Sequence, residues 1–282
     1  MKNNTEPVKM KEKIAILGGG NIGTAFAKGL LKSKLYDAEN IIVTKRRLSM
    51  LDSLSEKGLI ISSDNTMAVK AAHIIILAVK PQQAPEILKE TAPFFESDRH
   101  IILSLVTGIG ISQIKKMART NCPVFLAMPN TALSICESMT CLAHNDEPEV
   151  SREKIINLFN HLGHCQVIPE DLMGAATVLA ACGIAFALRF LRGISQGGIE
   201  IGFDSELSTL IAAQTLKGAA KLTQETGNHP EREIDKVTTP MGITISGLNE
   251  MEHNGFSSAL IKGLLVSYHK IEKLNQKSNP DA

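Results

Sequence analysis

Two stretches of this chain carry residues whose types and spacing suit chemistry. In "ILGGGNIGTAF", Gly18, Gly20 and Gly23 make a G-x-G-x-x-G pattern between an apolar run and a helix-like segment. The first glycine permits a tight turn, the second lets backbone approach a pyrophosphate, and the third lets helix and strand pack closely. In "TTPMGIT", Thr238 to Thr244, hydroxyls flank a Pro and a Gly where a helix begins. A helix N-terminus has unpaired N–H donors and the positive end of the helix dipole, so Thr239, Thr244 and nearby amides suit a small carboxylate. The same residues would serve an ordinary N-cap. A dinucleotide site and an anion site in one chain suggest a reductase of a small acid.

Cofactor choice depends on the end of the second strand, where NAD-preferring sites place an Asp or Glu for the ribose 2′-hydroxyl. Here the chain reads Thr44, Lys45, Arg46, Arg47, with no carboxylate. Cations and a hydroxyl suit a 2′-phosphate, so NADPH is expected, with NADH the alternative. "ILAVKPQQ" and "LAMPNTAL" end two further strands, at Val79-Lys80-Pro81 and at Met128-Pro129-Asn130-Thr131. Each alone reads as a turn. Together, on the carboxyl edge where open α/β sheets bind ligands, they argue for one site.

The elements that must position these residues come from hydrophobic periodicity. Lys13–Leu17, Asn40–Thr44, His73–Val79, His100–Leu105 and Pro123–Met128 are short Ile- and Val-rich runs. Ile22–Lys34, Leu48–Gly58, Pro85–Phe95 and Ile111–Arg119 have helical spacing. This alternation implies a parallel sheet covered by helices on both faces. A helix over Ser151–Leu162 and a strand over His164–Ile168 follow. From Pro169 the texture becomes helical, over Asp171–Gly193, Ser205–Glu225, Ile243–His253 and Phe256–Gln276, with breakers between. The uncharged run Leu172–Leu188 reads as a buried helix packed closely on another, being short for a membrane span. A helical half this rich in Ala and Gly is hard to close alone, so a homodimer at least is expected.

Bulk properties narrow the partners. The chain has 282 residues, enough for two domains, and a formal net charge of +1, which argues against nucleic acid or acidic membranes as partners. Two Tyr and no Trp leave little for base stacking. Five scattered cysteines without a Cys-x-x-Cys pair fit a reducing compartment, and the polar "MKNNTEPVKMKEK" reads as a tail, not a signal peptide. A cytoplasmic protein is expected. His161 and His164, beside Cys165, read as surface or packing residues, because no further ligand cluster accompanies them. No metal site is expected.

With these pieces assembled, the chain resembles the pyrroline-5-carboxylate reductase family over nearly its whole length. The resemblance runs through the glycine loop, "NTMAVKAAHIIILAVKPQ", "MPNT" and "QTLKGAAKL" to "VTTPMGITISGLNEMEHNGF". It implies a cyclic imine carboxylic acid as substrate, NADPH as reductant, and interlocked dimers that assemble into larger rings. By position, it assigns Gly18, Gly20, Asn21, Ile22 and Gly23 to the pyrophosphate loop. Thr44, Lys45 and Arg46 match contacts to the adenosine ribose and phosphate, and Asn65, Ala78 and Lys80 match cofactor-lining positions. Met128, Pro129 and Asn130 match the loop beneath the nicotinamide. Thr239, Gly242 and Thr244 match the substrate loop, and Thr244 the catalytic residue near the ring nitrogen.

The implied fold is α/β: an N-terminal Rossmann-type, mostly parallel sheet domain (1–168) and a C-terminal all-α dimerisation domain (169–282). Several positions depart from the family pattern. Ala180-Ala181-Cys182-Gly183-Ile184-Ala185 replaces S-G-S-G-P-A, Arg192 replaces a common Glu, and Met241 stands where Gly is usual. Ile243, Lys236 and Ala132 also depart. Two alternatives therefore stay open: an NADP-dependent reductase of another imine or oxo acid, with Lys217 or Lys221 as catalytic candidates, and a non-catalytic NADPH-binding paralogue.

Overall fold

The structure is a computed structural model that describes residues 9–278, with side chains through Lys273. The tail expected at the N-terminus lies, over residues 1–8, outside the described residues. Among the described residues two compact units divide the chain, one of residues 9–182 with 268–278, the other of residues 183–267.

The first unit opens β1 (Ile14–Leu17), α1 (Asn21–Lys32), β2 (Ile41–Thr44), α2 (Asp52–Ser55), β3 (Ile60–Ser62) and α3 (Asn65–Ala71). It continues β4 (Ile74–Leu77), α4 (Ala84–Thr91), β5 (Ile101–Ser104), α5 (Ile111–Ala118) and β6 (Val124–Met128). β7 (Ser138–His144), α6 (Glu149–Asn160), β8 (Gly163–Val167) and α7 (Met173–Ala176) follow. The strands form one sheet in the order β3-β2-β1-β4-β5-β6-β7-β8. The first six run parallel, which is the doubly wound dinucleotide-binding order. β7 runs antiparallel to β6, and β8 parallel to β7.

The continuous Ile/Val runs of β1, β2, β4, β5 and β6 are buried along their length, because both sheet faces are covered. On one face Ile14, Ile16, Val43 and Leu103 pack with Phe26, Leu30 and Phe159. On the other, Ala15, Leu17, Ile75 and Ile102 pack with Val69, Leu88 and Ile114. The expected mostly parallel α/β sheet is what forms.

Sequence periodicity missed β3, α3 and β7. β3 is three residues long, and β7 alternates buried and half-buried residues in a Met-, Thr- and Cys-containing stretch. The expected helix over Leu48–Gly58 shrinks to a 3-10 turn at Leu48–Leu51 and the single turn α2. Texture changes at Pro169, whereas the compact units divide after Cys182. Residues 169–182 stay with the sheet because Met173, Ala176, Val178 and Ala180 are buried there.

The second unit holds α8 (Gly183–Glu200), α9 (Ser205–Thr226), α10 (Pro230–Val237), α11 (Ile243–His253) and the start of α12 (Phe256–Ser278). Asp204 caps α9 by accepting from the Glu206 and Leu207 N–H groups at 3.0 and 2.9 Å, and left-handed Gly227 ends it. α10 was not expected; it hides in the breaker segment because Pro230 is its first residue.

The uncharged run Leu172–Leu188 proves only partly buried. Thr177–Cys182 forms a π-helical turn packed inward, while Leu179 and Leu188 stand exposed. One helical stretch, Glu170–Glu200, is long and apolar enough to cross a membrane by length and composition alone. An amphipathic helix that buries one face against another protein surface meets the same test.

Candidate functional site

The glycine loop is built by close packing on two sides and left open on the third. Gly18 has φ +115°, and a Cβ there would lie 2.5 Å from the Ala78 carbonyl oxygen. A Cβ on Gly23 would overlap the Gly18 carbonyl oxygen, so the third glycine lets α1 sit against the turn. Gly20, the N-cap of α1, would meet nothing within 4 Å. That is the geometry a pyrophosphate needs: two glycines demanded by the fold, and one facing space where backbone meets ligand. Asn21 and Ile22 begin α1 beside it, and their N–H groups are free of intrahelical partners by the geometry of a helix start.

The end of β2 is tied to this loop. The Thr44 carbonyl accepts from the Gly18 and Gly19 N–H groups at 3.2 and 2.7 Å. The Thr44 hydroxyl donates to Asn65 Oδ1 at 2.7 Å, and Asn65 Nδ2 donates to Glu90 Oε2 at 3.3 Å. Lys45 Nζ donates to the Gly19 carbonyl at 2.7 Å. Lys45 thus buttresses the loop, leaving the exposed Arg46 and Arg47 as the cations that face solvent.

Along the same carboxyl edge, Ala78 is buried beneath Gly18 and Lys80 is exposed at the start of a 3-10 turn. Met128 ends β6 with Pro129 buried after it. Asn130 is held three ways: its N–H donates to Ser138 Oγ at 3.1 Å, its Oδ1 accepts from the Ala132 N–H at 3.0 Å, and its Nδ2 donates to the Ala180 carbonyl at 3.2 Å. Ala180 belongs to the π-helical turn, where the regular ladder is broken and carbonyls are freed for other donors. Asn130 is therefore committed to shaping its loop.

Sequence reasoning missed the loop after β5. Val106, Thr107 and Gly108 line a cavity of about 330 Å³ with Met128, Thr177 and Tyr268. The signal was present: a Thr-Gly pair directly after an Ile-rich strand, with Gly108 at φ +82°.

The threonine turn lies in the second unit. Gly242 is the N-cap of α11 and its N–H donates to the Thr239 carbonyl at 2.9 Å. Thr239 and Thr244 are exposed, and Thr244 is the second residue of the helix. Met241 adopts φ 58°, a left-handed conformation unusual for a side-chain-bearing residue, and is fully exposed.

Other candidates point elsewhere. Burial pushes the Cys165 thiol up to about 12, which keeps it protonated at neutral pH. His161 Nδ1 lies 2.9 Å from the Asn157 carbonyl of its own helix turn. Among the described residues, no group of three or more His, Cys, Asp or Glu is placed to hold a metal ion. Lys217 is exposed on α9, and Lys221 pairs with Glu225 at 3.4 Å.

Known proteins resemble this arrangement closely. Pyrroline-5-carboxylate reductase 2 of Dictyostelium discoideum is 41% identical over 292 residues, covering 96% of this chain and 97% of that protein. The chain belongs to the pyrroline-5-carboxylate reductase family. This is a family of NAD(P)-dependent oxidoreductases. Pyrroline-5-carboxylate reductase 1 of the same organism is 44% identical over 93% of this chain, which spans 49% of that protein's length. The family described as "Pyrroline-5-carboxylate reductase dimerisation" matches residues 170–274, and "NADP oxidoreductase coenzyme F420-dependent" matches residues 13–108. The fold matches a Plasmodium falciparum pyrroline carboxylate reductase crystallised with NADP bound, at TM-score 0.86 and 23% identity, over 95% of this chain and 100% of that one. A Coxiella burnetii pyrroline-5-carboxylate reductase matches at TM-score 0.82 and 25% identity, over 94% and 99% of the two chains. In this pyrroline-5-carboxylate reductase relative, the departures at Ala180–Cys182 fall within the π-helical turn that accepts from Asn130.

Proposed function

We propose that this protein reduces the C=N bond of pyrroline-5-carboxylate with NADPH, giving L-proline, as a homodimer or larger ring in the cytoplasm. The observation that carries this reading is full-length likeness to pyrroline-5-carboxylate reductases combined with a glycine loop whose middle glycine opens on empty space. The exposed Arg46 and Arg47, with no carboxylate at the end of β2, support a 2′-phosphate and so NADPH. Five cysteines, none of them joined in a disulfide among the described residues, support a reducing compartment. The matched dimerisation family and the exposed apolar residues of the helical unit support self-association.

NADPH, when bound, supplies the hydride. Gly18, Gly20, Gly23 and the start of α1 hold the pyrophosphate, Arg46 the 2′-phosphate, and Lys45 and Asn65 keep the loop in shape. Ala78, Lys80, Met128 and Pro129 line the cofactor's path along the sheet edge, with Asn130 fixing the last of these loops. The start of α11, with Thr239, Gly242 and Thr244, takes the substrate carboxylate, and Thr244 donates toward the ring nitrogen as hydride addition to the carbon returns a lone pair to it. An imine that arrives protonated needs little further acid–base help, so alignment and anchoring of the two reactants carry the rate.

The test is direct. Purified protein mixed with pyrroline-5-carboxylate and NADPH should lose reduced-nicotinamide absorbance in step with proline formation; an absence of turnover would reject the reading. Thr244→Val should lower turnover about 100-fold while barely changing NADPH affinity. A collapse of cofactor affinity instead would remove Thr244 from the substrate site.

A further inference from the structure

We infer that Glu90 is a positioning residue that orients Asn65 and, by its charge, tunes cofactor choice. This rests on the reading of the end of β2 as the adenosine-ribose site. Glu90 is exposed on α4, far in sequence from the glycine loop, yet its Oε2 accepts from Asn65 Nδ2 at 3.3 Å. A carboxylate can only accept, so it dictates which way the Asn65 amide turns. The nitrogen must face Glu90, and the oxygen must face Thr44.

That orientation fixes a second group. Thr44, 2% exposed, gives its hydroxyl proton to Asn65 Oδ1 at 2.7 Å, while its carbonyl takes the Gly18 and Gly19 N–H groups. With Glu90 in place, the Thr44 hydroxyl cannot donate to a ligand, and the second Asn65 N–H is the donor that this corner presents. Without Glu90 the amide is free to turn over, and the Thr44 hydroxyl then accepts from it.

Glu90 also sets the local charge. Its carboxylate stands one side-chain amide away from Thr44, at the same strand end from which Arg46 and Arg47 project. A 2′-phosphate carries a charge that feels both signs, whereas a 2′-hydroxyl feels neither strongly. Glu90 therefore opposes the arginines for NADPH and leaves NADH almost unaffected. In a largely aqueous setting, removing one negative charge from this corner should tighten binding of a near-dianionic phosphate about threefold at low salt.

The experiment measures dissociation constants of NADPH and NADH for the full chain by fluorescence titration at low and high salt. Glu90→Gln keeps an oxygen that accepts from Asn65 and removes the charge. NADPH should tighten about threefold at low salt, NADH should not change, and the gain should fade at high salt. Glu90→Ala removes the charge and also the partner of the amide, so it should weaken both cofactors by a common factor that Glu90→Gln does not reproduce, while keeping the salt-sensitive gain of NADPH relative to NADH. A purely structural Glu90 would instead move both cofactors together in both variants, and that result overturns the inference. Arg46→Glu is the control for the underlying reading. If it weakens NADPH while Glu90→Gln shows no NADPH-specific gain, only the role of Glu90 falls. If it leaves NADPH affinity intact, the ribose-site reading falls and takes the role of Glu90 with it.

Discussion

The sheet unit and the helical unit solve the problem of burying apolar surface in opposite ways. In the first, strands and helices close two cores, one on each sheet face, with side chains such as Phe26, Phe125 and Phe159 fully buried. In the second, among residues 183–267, only Ser195, Ser208 and Ala212 are buried. There α8 and α9 meet through small groups: Ser208 Oγ donates to the Ser195 carbonyl at 2.7 Å, and a Cβ on Gly198 would strike Ser208 Oγ. The large apolar residues face outward instead, with Ile201 78%, Leu210 65% and Val266 68% exposed. The sheet unit closes its cores within one chain, whereas the helical unit leaves large apolar side chains exposed, the surface that the proposed self-association would bury.

The strongest way to break this contrast is to put charge on the outward face. Leu210→Glu combined with Val266→Glu should reduce the particle mass measured by light scattering to that of a single chain, with loss of turnover. NADPH binding by the sheet unit should survive. If the double variant keeps its assembly and activity, the exposed face is not where copies meet.

Within the sheet unit, two glycines of one loop should behave differently. Gly23→Ala forces a methyl group into the Gly18 carbonyl and should cost about 1–3 kcal/mol in denaturant unfolding, with loss of NADPH binding. Gly20→Ala meets nothing within 4 Å, so it should weaken NADPH binding with stability almost unchanged. Equal destabilisation by both would mean that the loop is shaped by packing alone.

A smaller effect is expected in the helical unit at Met241. A left-handed residue with a Cβ is strained by about 1–2 kcal/mol, and glycine returns part of that gain through its freer unfolded chain. Met241→Gly should raise the melting temperature of the helical unit modestly; a fall would show that the side chain is held by something other than solvent.

The last prediction concerns pH and belongs to the sheet unit. Burial, with Arg99 beside it, lowers the His100 pKa below the ordinary value of 6.5, and its Nδ1 accepts from the Glu96 N–H at 2.8 Å. The folded state therefore prefers the neutral ring, and the unfolded chain takes up the proton first. Stability should be full above pH 6.5 and should decline as pH falls below it. His100→Asn keeps an acceptor and does not titrate, so the urea midpoint of this variant should vary less with pH on the acid side. An unchanged acid slope would assign the effect to other groups.

How much was legible in the chain follows the same division. The glycine spacing, the Ile- and Val-rich runs and the cationic end of the second strand read directly as a parallel sheet with a nucleotide loop, because each is a local pattern with one physical meaning. β7 and α10 were not legible, since an alternating strand with Thr and Cys and a helix opened by Pro both look like connections. Asn65 and Asn130 could be named by resemblance, but not what they do. Their side-chain amides are directed by Glu90 and Ala180, and Ser138 holds the Asn130 backbone N–H; these groups come close only when the chain folds.

The amino-acid order alone determined the two-layered cover of the sheet, the turn at Gly18 and the Ala- and Gly-rich helices, since periodicity and backbone freedom are properties of neighbouring residues. Tertiary structure alone decided that Lys45 braces the loop through the Gly19 carbonyl, that the β5 loop lines a cavity, and that the apolar side chains of α9 point away from their own unit. Those outcomes depend on which distant groups share a hydrogen bond or a surface, and sequence spacing does not encode that.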